Sequence, residues 1–148
     1  MVQFVPIDEK NFEEVLQLKV NEHQSKFVAP NVRSLADCYL YRNNNDVFPY
    51  AIQKGETVVG FLLLDVDKEN KEVMIWRMMI DRHHQGKGYG RQTVEKVIEW
   101  VKKENKYDVL VADYVKGNEV MGKLLRSLEF KDHSYNEEYD EFVLHYEC

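Results

Sequence analysis

The stretch Asp81-Arg82-His83-His84-Gln85-Gly86-Lys87-Gly88-Tyr89-Gly90-Arg91 concentrates the residue types most able to hold a ligand. Glycine tolerates φ > 0 and lets other atoms approach the main chain, and a helix starting just after such a loop presents free N–H groups and the positive end of its dipole. An anion such as a pyrophosphate is the natural occupant. Spacing excludes two common phosphate loops. A Walker loop needs four residues between its first Gly and the Gly-Lys pair, whereas glycines alternate here. A G-x-G-x-x-G fingerprint begun at Gly86 and Gly88 would place its last glycine on Arg91. A glycine turn without a ligand is the competing reading.

Other candidates are weaker. His83 and His84 are adjacent on a loop, so their side chains diverge, and no i, i+4 partner or nearby carboxylate pair completes a metal or acid-base site. Surface histidines and no metal are expected. Cys38 and Cys148 have neither disulfide nor metal-ligand spacing. Trp76 and the methionines around it read as the filling of a buried strand, so their backbone, not their side chains, is of interest.

The loop needs a strand before it and a helix after it, and the periodicity supplies both. Val73 to Ile80 is a bulky apolar run that predicts a central strand covered on both faces. Val94, Val97, Ile98 and Val101 fall at helical spacing with Lys96, Glu99, Lys102 and Lys103 on other faces. Upstream, Val2 to Ile7 predicts a strand and Phe12 to Val20 a helix. Ser34-Leu35-Ala36-Asp37 has the form of a capping box opening a second helix from Leu35 to about Tyr41. Val47–Gln53 and Thr57–Asp65 flank Lys54-Gly55-Glu56 as a β-hairpin. Downstream come a buried strand at 107–113, a helix from Val120 to Leu128 capped by Asn118, and two last strands near Phe130 and at Phe142–Tyr146. The acidic turn Glu137-Glu138-Tyr139-Asp140-Glu141 reads as a solvated hairpin tip, the alternative being that it attracts a polycation.

At 148 residues, with no linker, repeat or low-complexity tract, one domain over 1–148 is expected. A net charge of -6 speaks against a nucleic-acid surface and suits a cationic small substrate. No apolar run approaches the roughly 20 residues of a membrane helix, and the start lacks a basic region followed by an apolar stretch, so a cytoplasmic protein away from the membrane is expected.

Gln85, Gly88 and Gly90 fill the pattern Gln or Arg, two residues, Gly, one residue, Gly or Ala. By this motif and by the order of elements over nearly the whole chain, the sequence resembles the GNAT superfamily of N-acetyltransferases. The resemblance implies an α/β (α+β) fold with a mixed, mostly antiparallel sheet of about seven strands and about four helices. It also implies acetyl-CoA as co-substrate, with the sheet splayed between the strand ending at Ile80 and the strand 107–113 to admit the pantetheine arm. Backbone groups of Met78, Met79 and Ile80 then pair with the arm, the Met78 N–H polarises the thioester carbonyl, and Gln85, Gly86, Lys87, Gly88, Tyr89, Gly90 and Arg91 hold the pyrophosphate. Asn118 touches the arm or the thiol end.

The family often carries N-x-x-A-x-x-L-Y-x-x-x-G-F in the last helix; here Asn118, Leu124 and Phe130 match, while Met121, Leu125 and Glu129 replace Ala, Tyr and Gly. Leu125 thus stands where the family has a thiolate-protonating Tyr, and Tyr114 is the substitute. The stretches Leu18 to Asn31 and Trp76 to Asp81 are similar to small bacterial spermine/spermidine (diamine) acetyltransferases. That similarity implies a polyamine acceptor with Glu22 receiving an ammonium group, and the superfamily a homodimer. Another amine, such as a protein terminus, amino sugar or amino acid, and a non-catalytic CoA-binding module are the alternatives.

Overall fold

The computed structural model describes residues 1–148. The elements follow in the order β1 (Gln3–Pro6), α1 (Phe12–Gln17), α2 (Asn31–Leu40), β2 (Val47–Lys54), β3 (Thr57–Asp67), β4 (Glu72–Ile80), α3 (Tyr89–Glu104), β5 (Val109–Val115), α4 (Glu119–Ser127), β6 (Lys131–Asn136) and β7 (Glu141–Glu147). A 3₁₀ turn at Glu22–Gln24 lies between α1 and α2. The strands form one sheet in the order β1-β2-β3-β4-β5-β7-β6. Every neighbouring pair is antiparallel except β4 with β5.

Helices cover both faces. On one, Val94, Val97 and Val101 of α3 and Leu125 of α4 join Leu62, Ile75, Leu110 and Leu144 of the sheet in the larger core. On the other, Val15 of α1 meets Ala51, Phe61, Leu63 and Met79. The three valines of α3 recur at helical spacing, Lys102 and Lys103 in its last turn face the negative end of its dipole, and Asn105 in the left-handed region closes it. β4 occupies the middle of the sheet as its sequence suggests, but the most completely buried strand is β3. The far end of β4 borders an opening, which accounts for the difference.

Two boundaries depart from the sequence reading. The second helix opens at Asn31, not Leu35, because Pro30 at φ -58° already sets the chain and its carbonyl accepts from the Arg33 and Ser34 amides. Ser34 and Asp37 therefore cap nothing: the Ser34 hydroxyl and the Asp37 carboxylate both accept from Arg77 of β4, at 3.2 and 2.7 Å. The first helix stops at Gln17, and the chain continues as an extended segment into the 3₁₀ turn, where Asn21 and Gln24 cap one another. At the other end, β5 starts at Val109 and runs on to Val115, placing Tyr114 inside the strand.

Candidate active site

A β-bulge decides where the sheet opens. Leu63 and Leu64 of β3 pair with Arg77 and Ile75, so Trp76 is an extra residue on β4. It shifts the alternation of side chains, leaving Ile75 and Met78 packed toward the α3 side while Trp76 and Met79 pack toward the α2 side. Parallel pairing with β5 ends at the same place, at Ile75 with Ala112. Beyond it, β4 and β5 part and border a cleft of 1220 Å³.

The edge of β4 that faces this cleft carries free main-chain groups. The Asp81 N–H donates to the Val59 carbonyl at 2.8 Å. Strand alternation then directs the Met79 amide at β3 and those of Met78 and Ile80 at the opening. The Met79 amide accordingly turns to the β3 ladder, and its side chain packs in the core. The Ile80 carbonyl already accepts from Gln85 Nε2 at 3.0 Å.

No main-chain amide from Gln85 through Arg91 donates to another protein group; the first bond of α3 runs from Gln92 N–H to the Gly88 carbonyl. Gly86 and Gly88 sit at φ +80° and +83°, where a side chain strains the backbone. The result is a run of unsatisfied donors at the positive end of a 16-residue helix, an arrangement suited to phosphate oxygens. The loop is held from below by side chains. Gln85 Oε1 accepts from Asn21 and Gln24, and buried Asp81 accepts from the Lys19 and His83 amides. The Gln85 side chain is therefore part of the scaffold. Arg91 pairs with Glu95 at 2.9 Å and donates to Ser127, while Lys87 is exposed and outside the cleft lining.

Asn118 lines the cleft and caps α4, its side chain accepting from the Met121 amide at 3.4 Å. Tyr114 also lines it; its ring stacks on Phe142 and its hydroxyl oxygen accepts from Arg126 at 2.8 Å. The ring crosses α4 where a Cβ on Gly122 would come within 2.7 Å of it, so a glycine there is what admits Tyr114. Leu125 is fully buried in the core, and the α4 residues facing the cleft are Val120, Met121 and Leu124.

The α2 side of the cleft differs from the expectation. Glu22 is exposed and does not line the cleft, because the 3₁₀ turn rotates Asn21 and Gln24 inward to Gln85 and Glu22 outward. Facing the cleft on this side are Asp37 with Arg77, and Asp113 with Glu141; of these only Glu141, in the acidic turn, is a sequence-level candidate for attracting a cation. Burial alone would raise the Asp37 carboxyl, but hydrogen bonds from Arg77 and then Arg33 outweigh it and hold the group below the ordinary carboxylate range. Asp113 has no such cation. Burial, together with the adjacent Glu141 carboxylate, pushes it up to about 8. Glu141 is half-buried at the start of β7, so the acidic turn is not wholly a solvated tip. Nothing local marks the Asp113 and Glu141 pair in the sequence, since the two residues meet only through the pairing of Val115 with Glu141.

A central strand with a bulge, a splay at its end and a helix opened by free amides together frame the cleft. Residues 12–130 match the acetyltransferase (GNAT) family, and the chain belongs to it. A probable spermine N(1)-acetyltransferase of Bacillus subtilis subsp. natto is 28% identical over 102 residues, 63% of this chain and 63% of that protein. The chain thus matches less than two thirds of that relative's length. Among solved structures, the spermidine N-acetyltransferase of Vibrio cholerae in complex with CoA and spermine superposes with a TM-score of 0.75 at 11% identity, covering 97% of this chain and 92% of that one. An acetyltransferase of Salmonella typhimurium that modifies the N-terminal serine of a ribosomal protein gives 0.79 at 12%, covering 99% and 95%. At such identities the likeness is one of fold. No helix is long and apolar enough to cross a membrane.

Proposed function

We propose that this chain transfers the acetyl group of acetyl-CoA to a primary amine, a polyamine such as spermidine or spermine, by direct attack on the thioester. The observation that carries the reading is the coincidence of bulge, splay and free amides. The pyrophosphate is held by the amides of Gln85 to Arg91, and the arm lies between β4 and β5 against Ile80 and Asn118. The Met78 amide, directed into the opening, donates to the thioester carbonyl oxygen, where charge accumulates as the amine attacks. Tyr114 keeps its O–H free to donate, because only its oxygen is used by Arg126, and it serves the departing thiolate. The polyamine assignment rests on the similarity to the Bacillus spermine acetyltransferase and on the carboxylates facing the cleft.

The test is an amine panel. Purified protein is mixed with acetyl-CoA and spermidine, spermine, a peptide with a free terminus, or an amino sugar, and released CoA thiol is measured. Turnover with the polyamines and little with the others is expected. Turnover confined to the peptide or amino sugar overturns the acceptor class, and no turnover with any amine, despite acetyl-CoA binding, leaves a CoA-binding module.

A further inference from the structure

The cleft contains two carboxyl groups with no cation of the protein between them. Asp113 and Glu141 project on the same side of neighbouring strands, as the register Val115 with Glu141 and Asp113 with Val143 requires, and both line the cleft. Neither forms an ion pair with any Lys, Arg or His. The nearby Arg77 is committed to Asp37 at 2.7 Å. The remaining charged groups on the cleft wall are Lys26, Arg33, His84 and Arg91, with the phenols of Tyr41, Tyr89, Tyr114 and Tyr139. Two partly desolvated carboxyls facing each other are stable only if they share a proton or receive a cation.

Strand register fixes where this pair stands. Asp113 is the first β5 residue past the last parallel pair, while Met78 is three residues past it on β4. Two residues along the strand and one strand spacing across separate them by roughly 8 Å or more. That is too far for a carboxyl to hold the nitrogen attacking at the Met78 amide. It is within the span of a short aliphatic diamine whose other end is reacting.

Resting on the acetyltransferase reading above, we infer that Asp113 and Glu141, side by side on the cleft wall, seat the second, non-reacting ammonium of a diamine acceptor. In the empty protein Asp113 is raised to about 8, so near neutral pH the pair holds one proton. An ammonium placed between them favours both carboxylates, and the proton leaves to solvent. The pair thereby distinguishes a diamine from a monoamine of equal length: the monoamine offers an apolar end to two carboxyls. Binding of the diamine tightens as pH rises toward 8, because less proton has to be displaced.

Putrescine and n-butylamine, which share a four-carbon chain and differ by one ammonium, are the probes. Wild-type protein should show a kcat/KM for putrescine at least about tenfold above that for n-butylamine, the worth of one charge-assisted contact. Asp113→Asn and Glu141→Gln should each bring that ratio close to one, chiefly by raising the putrescine KM, with acetyl-CoA affinity retained as evidence of folding. Calorimetry at pH 7 in buffers of different ionisation enthalpy should show about one proton released per putrescine bound by the wild type, and none by Asp113→Asn. A ratio unchanged in both variants, or putrescine binding without proton release, overturns the seat while leaving the acetyltransferase reading intact. Failure of the wild type to acetylate any amine overturns both.

Discussion

On the α3 side of the cleft almost every group offered to a ligand is a backbone amide, whereas on the α2 side almost every one is a side chain. The first side is built from one continuous segment, Met78 to Arg91, in which strand, loop and helix follow directly. The second is assembled from α2, β4, β5 and β7, joined by Arg77 with Asp37 and by Asp113 facing Glu141. Backbone donors depend on conformation and tolerate many side chains, so such a half persists under sequence change. A side-chain half depends on each residue it uses, and it is the half free to set acceptor choice.

The largest effect should come from breaking the side-chain half. Arg77 and Asp37 are 16% and 9% exposed at their side chains, and Arg77→Ala leaves Asp37 buried with only the mostly exposed Arg33. A loss of about 3 kcal/mol in denaturant unfolding is expected, with acetyl-CoA affinity little changed. The pH dependence has a definite sign. Because the Asp37 carboxyl is held below its unfolded value, its contribution is full above the unfolded pKa and disappears as pH falls through the folded one. Wild type and variant should therefore converge in stability on the acid side; a constant gap would assign the loss to packing.

The reciprocal change belongs to the backbone half. Gly88 lies at φ +83°, with only Gln92 Nε2 near the position of an added Cβ, so Gly88→Ala meets open space but a strained conformation. Relaxation of that strain moves the amides. Calorimetry should show acetyl-CoA binding weakened at least tenfold, about 1.4 kcal/mol, with the Arg77 and Asp37 contact undisturbed. Unchanged affinity would remove the loop from the cofactor site. If both substitutions instead weakened stability and binding together, the two halves would not be separable.

The smallest effect is expected at Glu22. Its exposure outside the cleft lining predicts that Glu22→Gln changes the spermidine KM less than about twofold, as for an ordinary surface charge. A larger, acceptor-specific rise in KM would show that the segment Lys19–Pro30 closes over the acceptor and would extend the side-chain half to include it.

What the sequence by itself determined is the part carried by local pattern. Alternating glycines between an apolar strand and an amphipathic helix mark the candidate anion loop, because its positive φ angles and free amides are what those residues permit in any context. Order of elements, the capping role of Asn118 and the place of the splay are legible for the same reason. Tertiary structure alone decided which strand groups face the cleft, since the bulge at Trp76 shifts the alternation and is fixed by pairing with Leu63 and Leu64. It likewise turned Ser34 and Asp37 from a supposed cap into partners of Arg77, and set Glu22 outward. Asp113 and Glu141 are 28 positions apart and become neighbours only when β7 inserts between β5 and β6. The raised Asp113 carboxyl follows from burial and the neighbouring Glu141 charge, quantities that depend on distance in space and have no counterpart in distance along the chain.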